Sequence, residues 1–110
     1  MRVVIPDKKL SRLADDYQKC CRKMGPLRAK LFIQRLNILK DVNTLEEVRD
    51  VPGKFHELAG ERKGQWACNL DQPYRLIFRP LESPIPVNQD GQYQWNKIEG
   101  IEIIEITDYH

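Results

Sequence analysis

The stretch IEIIEITDYH, residues 101–110, predicts the strand that organises the rest of the chain. Its β-branched residues are interrupted by only two glutamates, a composition typical of a buried strand. Residues near a chain end are usually poorly placed for chemistry unless their backbone is tied into a sheet, and this strand supplies the tie. We therefore predict that Asp108, Tyr109 and His110 form half of a polar site.

The other half of this site is predicted between His56 and Arg75. After residue 53 the hydrophobic period changes from helical to two, and candidate strands cover residues 54–58, 65–70 and 74–79. Arg75 falls inside the last of these strands, where an unpaired guanidinium is costly to bury. It therefore needs either solvent or an anion.

The size and composition of the chain indicate a single domain, residues 1–110. Of its 110 residues, 41% are hydrophobic and 31% are charged, which is typical of a soluble globular protein. No apolar run approaches the roughly 18 residues that span a bilayer, and residues 1–6 lack the apolar core of a signal peptide. We expect a cytoplasmic protein without a membrane partner.

The three cysteines offer no obvious disulfide framework, which favours a reducing cytoplasm. Cys21 falls on the apolar face of the first predicted helix and is expected in the core, whereas Cys20 points some 100° away. His56, Cys68 and His110 lack the paired spacing of zinc ligands. The sequence therefore predicts neither a metal nor a cofactor.

Charge is distributed unevenly along the chain. Residues 1–40 contain 11 Lys and Arg against 3 Asp and Glu, and residues 41–110 contain 7 against 13. A basic pair of helices is a plausible electrostatic footprint for nucleic acid. The alternative is a solvated helical face rich in Lys and Arg, and charge alone does not separate the two.

Helical periodicity covers the first part of the sequence. Asp7 stands at an N-cap position, and apolar residues at three- and four-residue spacing predict one helix over residues 8–24. Gly25 is a suitable stop, and Pro26 suits the first turn of a second helix that extends to Val42. The short Gly-Pro connection predicts an antiparallel helical hairpin.

The remaining elements complete an α+β pattern. Residues 2–5 are a candidate edge strand, and residues 44–47 form a capping box that opens a short helix. Residues 80–96 contain three prolines and predict a long excursion before the last strand. We predict an N-terminal helical hairpin packed on a mostly antiparallel sheet of four to five strands.

Four motifs carry a resemblance to a known family: His56-Glu57-Leu58, GERKGQW at 60–66, DQPYRLIF at 71–78, and Asp108-Tyr109-His110. In these residues the chain resembles the RelE/ParE superfamily of bacterial toxins, most closely its HigB-like "killer protein" branch. The resemblance covers most of residues 54–110 and implies a RelE-like fold.

Two departures from the family pattern accompany the resemblance. The excursion at residues 80–96 replaces a short hairpin, which is expected to alter ribosome docking or antitoxin contact. Ala59 and Asp71 occupy places where some relatives carry a basic residue, so a weaker anion-binding side is expected.

The resemblance implies the toxin of a type II toxin–antitoxin system. Such toxins are ribosome-dependent endoribonucleases that cut mRNA and so inhibit translation. The implied partners are mRNA on the ribosome, rRNA, and a cognate helix-turn-helix antitoxin of the HigA-like kind. The toxin is expected to be monomeric alone and hetero-oligomeric with its antitoxin.

A metal-independent mRNA interferase needs a proton acceptor, a proton donor and a phosphate-binding cation. The candidate catalytic residues are His56, Arg75, Asp108, Tyr109 and His110. The candidate RNA- and ribosome-binding residues are Lys8, Lys9, Arg12, Arg62, Lys63 and Arg79.

Each candidate catalytic residue has an expected role in RNA cleavage. Arg75 holds the phosphate with a planar, permanently charged fork. Either histidine serves as acid or base, since imidazole exchanges protons near neutral pH. Asp108 orients a histidine or acts as base, and Tyr109 stacks on a base or positions the 2′-hydroxyl.

Structural alternatives stay open at the sequence level. His56 can be a hydrogen-bonded sheet residue, Tyr109 can cap the core, and Asp108 can pair with Arg75. Two other functions also remain: a non-enzymatic ParE-like toxin that binds a protein such as DNA gyrase, and an inactive toxin that serves as operon co-regulator.

Overall fold

A mixed sheet positions the residues of interest. The structure is a computed structural model that describes residues 1–108. Its strands, in chain order, are β1 (Arg2–Val4), β2 (His56–Glu57), β3 (Trp66–Asn69), β4 (Arg75–Pro80) and β5 (Gly100–Thr107). They lie in the order β1-β5-β4-β3-β2, with β1 parallel to β5 and the other neighbours antiparallel. This confirms the predicted α+β class and the mostly antiparallel sheet.

Strand β5 contains a bulge that decides which way its side chains point. Phe78 of β4 pairs with Ile103, but the next residue, Ile77, pairs with Glu105, so Ile104 is the extra residue. Side chains alternate along a regular strand, and Glu102 and Glu105 would then face opposite sides. The bulge brings both glutamates to the same face of the sheet.

The other face of the sheet packs on the helices. These are α1 (Lys8–Asp15), α2 (Tyr17–Met24) and α3 (Pro26–Asp41), and α2 and α3 form the predicted hairpin. From the sheet, Trp66, Leu76 and Phe78 are fully buried in one apolar core with Phe32 and Leu36 of α3. We call this sheet surface the inner face.

The prediction of a single helix over residues 8–24 was wrong, because the helix is interrupted at Asp16. Asp16 has extended backbone geometry (φ −134°, ψ 94°) and ends α1, and its carboxylate accepts a 3.0 Å hydrogen bond from the Lys19 backbone N–H. Aspartate side chains compete with the helical backbone in this way.

The interruption at Asp16 changes which residues of α2 face the core. Cys20 is fully buried in the core, whereas Cys21, which was predicted in the core, is only partly buried and packs against it. Cys68 of β3 is also fully buried, and burial raises the pKa of its thiol to about 12. Both buried cysteines are therefore structural residues of the core.

Several predicted boundaries are also corrected. The strand predicted at residues 54–58 is limited to β2, because Lys54 has a positive φ of 53° and Phe55 turns into the core. Within the excursion predicted at residues 80–96, Pro80 belongs to β4 and Trp95–Lys97 form a short 3-10 turn. Further 3-10 turns cover Leu45–Asp50, with the predicted capping box, and Gly60–Arg62.

A helix that crosses a bilayer must be both long and apolar. Among residues 1–108, none is both long and apolar enough to cross a membrane.

We predict that Asp16→Ala destabilises the protein by about 1 kcal/mol, because it removes the side chain that caps α2. Asp15→Ala is the matched control, since Asp15 is an exposed aspartate at the end of α1 that caps neither helix. Urea unfolding followed by tryptophan fluorescence measures both. Equal stability of the two variants would contradict the capping role of Asp16.

Candidate functional site on the outer sheet face

The side of the sheet that faces away from α3 carries the candidate site, and we call it the outer face. Its central row runs across four strands through the paired residues His56, Ala67, Ile77 and Glu105. Directly paired residues project from the same side of a sheet. The two ionisable side chains of this row therefore flank an apolar centre, in which Ala67 and Ile77 are fully buried.

Arg75 lies on the same face, one row closer to the end of β5. It pairs with Asn69 of β3 and with Thr107 of β5, the residue before Asp108. From strand spacing, the backbone positions of Arg75 and His56 are roughly 12 Å apart. The fold thus brings three sequence-predicted catalytic residues, His56, Arg75 and Asp108, to one region.

His56 is exposed, and one ring nitrogen is already engaged. Its Nδ1 lies 2.7 Å from the backbone carbonyl oxygen of Lys54. A carbonyl oxygen only accepts, so Nδ1 carries the hydrogen in this contact. His56 is thus a hydrogen-bonded sheet residue through Nδ1, as the structural alternative expected. This contact does not involve the other ring nitrogen, Nε2.

The guanidinium of Arg75 is held by neutral oxygens. Nη1 donates to the carbonyl of Tyr74 at 3.0 Å, and both terminal nitrogens lie 3.3–3.4 Å from Oε1 of Gln72. Within residues 1–108, no carboxylate lies within ion-pair distance of Arg75, including the exposed Asp108. These oxygens hold the guanidinium of Arg75 in place, and no carboxylate of the described residues neutralises its charge.

The other two candidate catalytic residues, Tyr109 and His110, lie outside the described residues. Their roles stay predictions.

Two predicted RNA-binding arginines on the outer face are paired with glutamates of β5. Arg62 donates to Gln65 at 3.0 Å and lies 3.5 Å from Glu105, and Arg79 forms an ion pair with Glu102. Arg62 therefore links Gln65, the residue before β3, to Glu105 of β5. These arginines differ from Arg75 in having carboxylate partners.

Sequence reasoning missed Glu105 and Gln72. Glu105 shares the central row with His56 and holds Arg62, and Gln72 holds Arg75. The irregular spacing of two glutamates in IEIIEI was an available signal for a bulge, and hence for Glu105 on the outer face. No signal in the sequence distinguished Gln72 from any other polar turn residue.

The remaining predicted RNA-binding residues lie on two separate elements, the turn before β3 and helix α1. Lys63 follows the 3-10 turn of Gly60–Arg62, between β2 and β3. Lys8, Lys9 and Arg12 are exposed on α1, and Lys9 lines a groove beside residues 104–106 of β5. The structure therefore places these cations around the sheet rather than on a single element.

Asp71, one of the departures from the family pattern, is held by helix α3. Arg28 of α3 binds its carboxylate with two hydrogen bonds of 2.9 and 3.1 Å, and the same guanidinium lies 3.5 Å from the centroid of the Tyr74 ring. The hydrogen bonds to Asp71 raise the pKa of Arg28 above its usual range. The negative charge of Asp71 is thus compensated next to the site.

A protein metal site needs several His, Cys, Asp or Glu side chains around one point. Within residues 1–108, no three side chains of His, Cys, Asp or Glu come together as they would around a metal ion.

Comparison with known proteins identifies the fold. Neither a protein-family model nor a curated protein matches the sequence. A solved structure described as a YoeB/ParE toxin from Agrobacterium tumefaciens aligns with this chain at a TM-score of 0.51 and 18% sequence identity, over 100% of both chains. The chain has the fold of a YoeB/ParE toxin. This confirms the RelE/ParE-type fold that the four motifs implied.

We predict that Arg28→Gln lowers the free energy of unfolding by about 1–2 kcal/mol, because Asp71 is left partly buried without its partner. Arg75→Gln is expected to change it by less than about 0.5 kcal/mol, since its partners are neutral and keep access to water. Urea unfolding measures both values. A large loss for Arg75→Gln would instead indicate a structural role for Arg75.

Proposed function

We propose that this protein is the toxin of a type II toxin–antitoxin system and a metal-independent endoribonuclease that cleaves mRNA on the ribosome. The observation that carries the proposal is the guanidinium of Arg75, which has no carboxylate partner within residues 1–108 and shares the outer face with His56. A guanidinium without a carboxylate partner, on the same sheet face as a proton-transfer group, suits a phosphodiester substrate. The shared fold of the YoeB/ParE toxin supports the same class.

The proposed reaction uses the 2′-hydroxyl of RNA as nucleophile. Its oxygen attacks the adjacent phosphorus while a base takes its proton, and the bond from phosphorus to the 5′-oxygen breaks as an acid donates a proton to that oxygen. The products are a 2′,3′-cyclic phosphate and a 5′-hydroxyl. Such proton transfers typically contribute 10²- to 10⁴-fold each to the rate.

The protein's groups have distinct roles in this reaction. Arg75 binds the phosphate oxygens and stabilises the charge that grows on them. His56 exchanges a proton through Nε2, because Nδ1 is bound to the carbonyl of Lys54. Asp108, Tyr109 and His110 complete the site, with His110 as the second proton-transfer group.

The remaining cations bind the RNA backbone and the ribosome. They are Lys8, Lys9, Arg12, Arg62, Lys63 and Arg79. Phosphate contacts of this kind fix register and orientation but do not read sequence. The HigB-like branch, with a HigA-like helix-turn-helix antitoxin and a hetero-oligomeric complex, is the partner assignment that we propose.

The test is induction of the protein in bacteria, with mapping of transcript 5′ ends. We expect growth arrest and new 5′-hydroxyl ends inside translated messages. Arg75→Gln is expected to abolish both effects, and His56→Ala to reduce cleavage at least about 100-fold. Arg22→Gln, which removes an exposed charge from α2, is the matched control and is expected to behave as wild type.

Other outcomes identify the alternatives. Growth arrest with intact messages and DNA-damage signalling would indicate a toxin that binds a protein such as DNA gyrase. Normal growth on induction would indicate an inactive toxin that acts as operon co-regulator.

A further inference from the structure

The side chain of Lys63 contacts an aromatic ring. Its side chain is exposed, and its ammonium nitrogen lies 5.7 Å from the centroid of the Tyr93 ring. Among residues 1–108, no carboxylate lies within ion-pair distance of it. An aromatic ring favours one position for a cation and leaves its net charge unchanged, unlike a carboxylate.

Tyr93 belongs to a small hairpin formed by residues 85–94, which we call the insertion hairpin. Val87 bridges to Tyr93, and the backbone of Gln94 donates to the carbonyl of Pro86 at 2.8 Å. The Tyr93 ring packs edge-on against Trp95 at 5.0 Å, and Trp95 packs against the core residue Trp66 at 5.4 Å. Tyr93 is thereby fixed relative to the sheet.

The insertion hairpin also contacts the turn that carries Lys63. Gly64 has a φ of +92°, and a Cβ built there would lie 3.2 Å from Cδ1 of Ile85. A close approach of this kind, at a backbone conformation that favours glycine, ties the turn to the hairpin. Residues 63 and 64 therefore contact the insertion hairpin.

Lys63 stands between two open clefts. The first cleft, of about 400 Å³, is also lined by Arg79, Glu82 and Glu102. The second, of about 530 Å³, is lined by Glu46, Arg49 and Glu57 together with Asn88 and Gln92 of the hairpin. Most of these carboxylates already have a cationic partner, since Glu102 pairs with Arg79, and Glu46 and Glu57 pair with Arg49. A flexible strand passing along the outer face would meet Lys63 at this end.

We propose that Lys63 binds an RNA backbone phosphate distant from the scissile one, and that Tyr93 is the residue that positions it. The row of Arg79, next to Lys63, and the row of Arg75 are four residues apart along β4, or roughly 13 Å. The phosphate bound by Lys63 is therefore a different one from that bound by Arg75. This inference rests on the proposed function and assigns the insertion hairpin a role in substrate binding.

The experiment is cleavage of mRNA on programmed ribosomes, with KM and kcat measured separately. Lys63→Gln and Tyr93→Leu are each expected to raise KM about threefold with kcat unchanged. Tyr93→Phe keeps the ring and is expected to match wild type. The double variant is expected to show about the same threefold rise, because the ring acts only through Lys63.

Several results would overturn the inference. One is a KM about ninefold higher in the double variant, because the two effects would then be independent. Another is a Tyr93→Phe variant with a KM as high as that of Tyr93→Leu. The third is an unchanged KM for Lys63→Gln. A wild-type protein that cuts no RNA would overturn the proposed function as well, which separates the two failures.

A second measurement serves if Tyr93→Leu does not fold. The ε-methylene protons of Lys63 lie near the Tyr93 ring in the native protein, so an upfield ring-current shift is expected in wild type and in Tyr93→Phe. If the ε-methylene protons of Lys63 have random-coil chemical shifts in the folded wild-type protein, Tyr93 does not position Lys63.

Discussion

The bulge at Ile104 is the constraint on which the outer face depends. Strand β5 must place Ile101, Ile103 and Ile106 on the inner face and also place two glutamates on the outer face. A regular strand cannot do both, because its side chains alternate strictly. One extra residue solves this conflict, and it also aligns Thr107 with Arg75 on the outer face.

The same bulge determines which arginines are neutralised. Glu102 and Glu105 become available to Arg79 and Arg62, and Arg28 is occupied by Asp71 on the helix side. Arg75 lies beyond these partners, next to Thr107, and its hydrogen bonds go to an amide and a carbonyl oxygen. The charge that distinguishes the candidate site thus results from where the carboxylates lie, more than from the number of cations.

Much of this architecture could be predicted from the sequence. The α+β order, an edge strand near residue 2, and the grouping of His56 with Arg75 follow from periodicity and motifs, but the parallel pairing of that strand with β5 was not predicted. The interruption at Asp16 could not be predicted with the same ease, because the apolar spacing continues through it and only the competition of one carboxylate for the backbone ends the helix. Likewise, the partners of Arg62 and Arg75 depend on register and turn geometry, which composition does not encode. Tyr109 and His110 stay predictions.

The pairing of Arg62 with Glu105 is compatible with RNA binding by Arg62. The side chains of Arg62 and Glu105 are 32% and 43% exposed, and their charged atoms are 3.5 Å apart. Ion pairs this exposed contribute only about 0–1 kcal/mol to stability. A phosphate oxygen offers the guanidinium a charge-assisted hydrogen bond of at least equal strength. If Arg62 turns to a phosphate, Glu105 loses its partner on the row that it shares with His56. The resting ion pair therefore keeps Glu105 of the central row compensated until an anion arrives, whereas Arg75 has no carboxylate partner to exchange within residues 1–108.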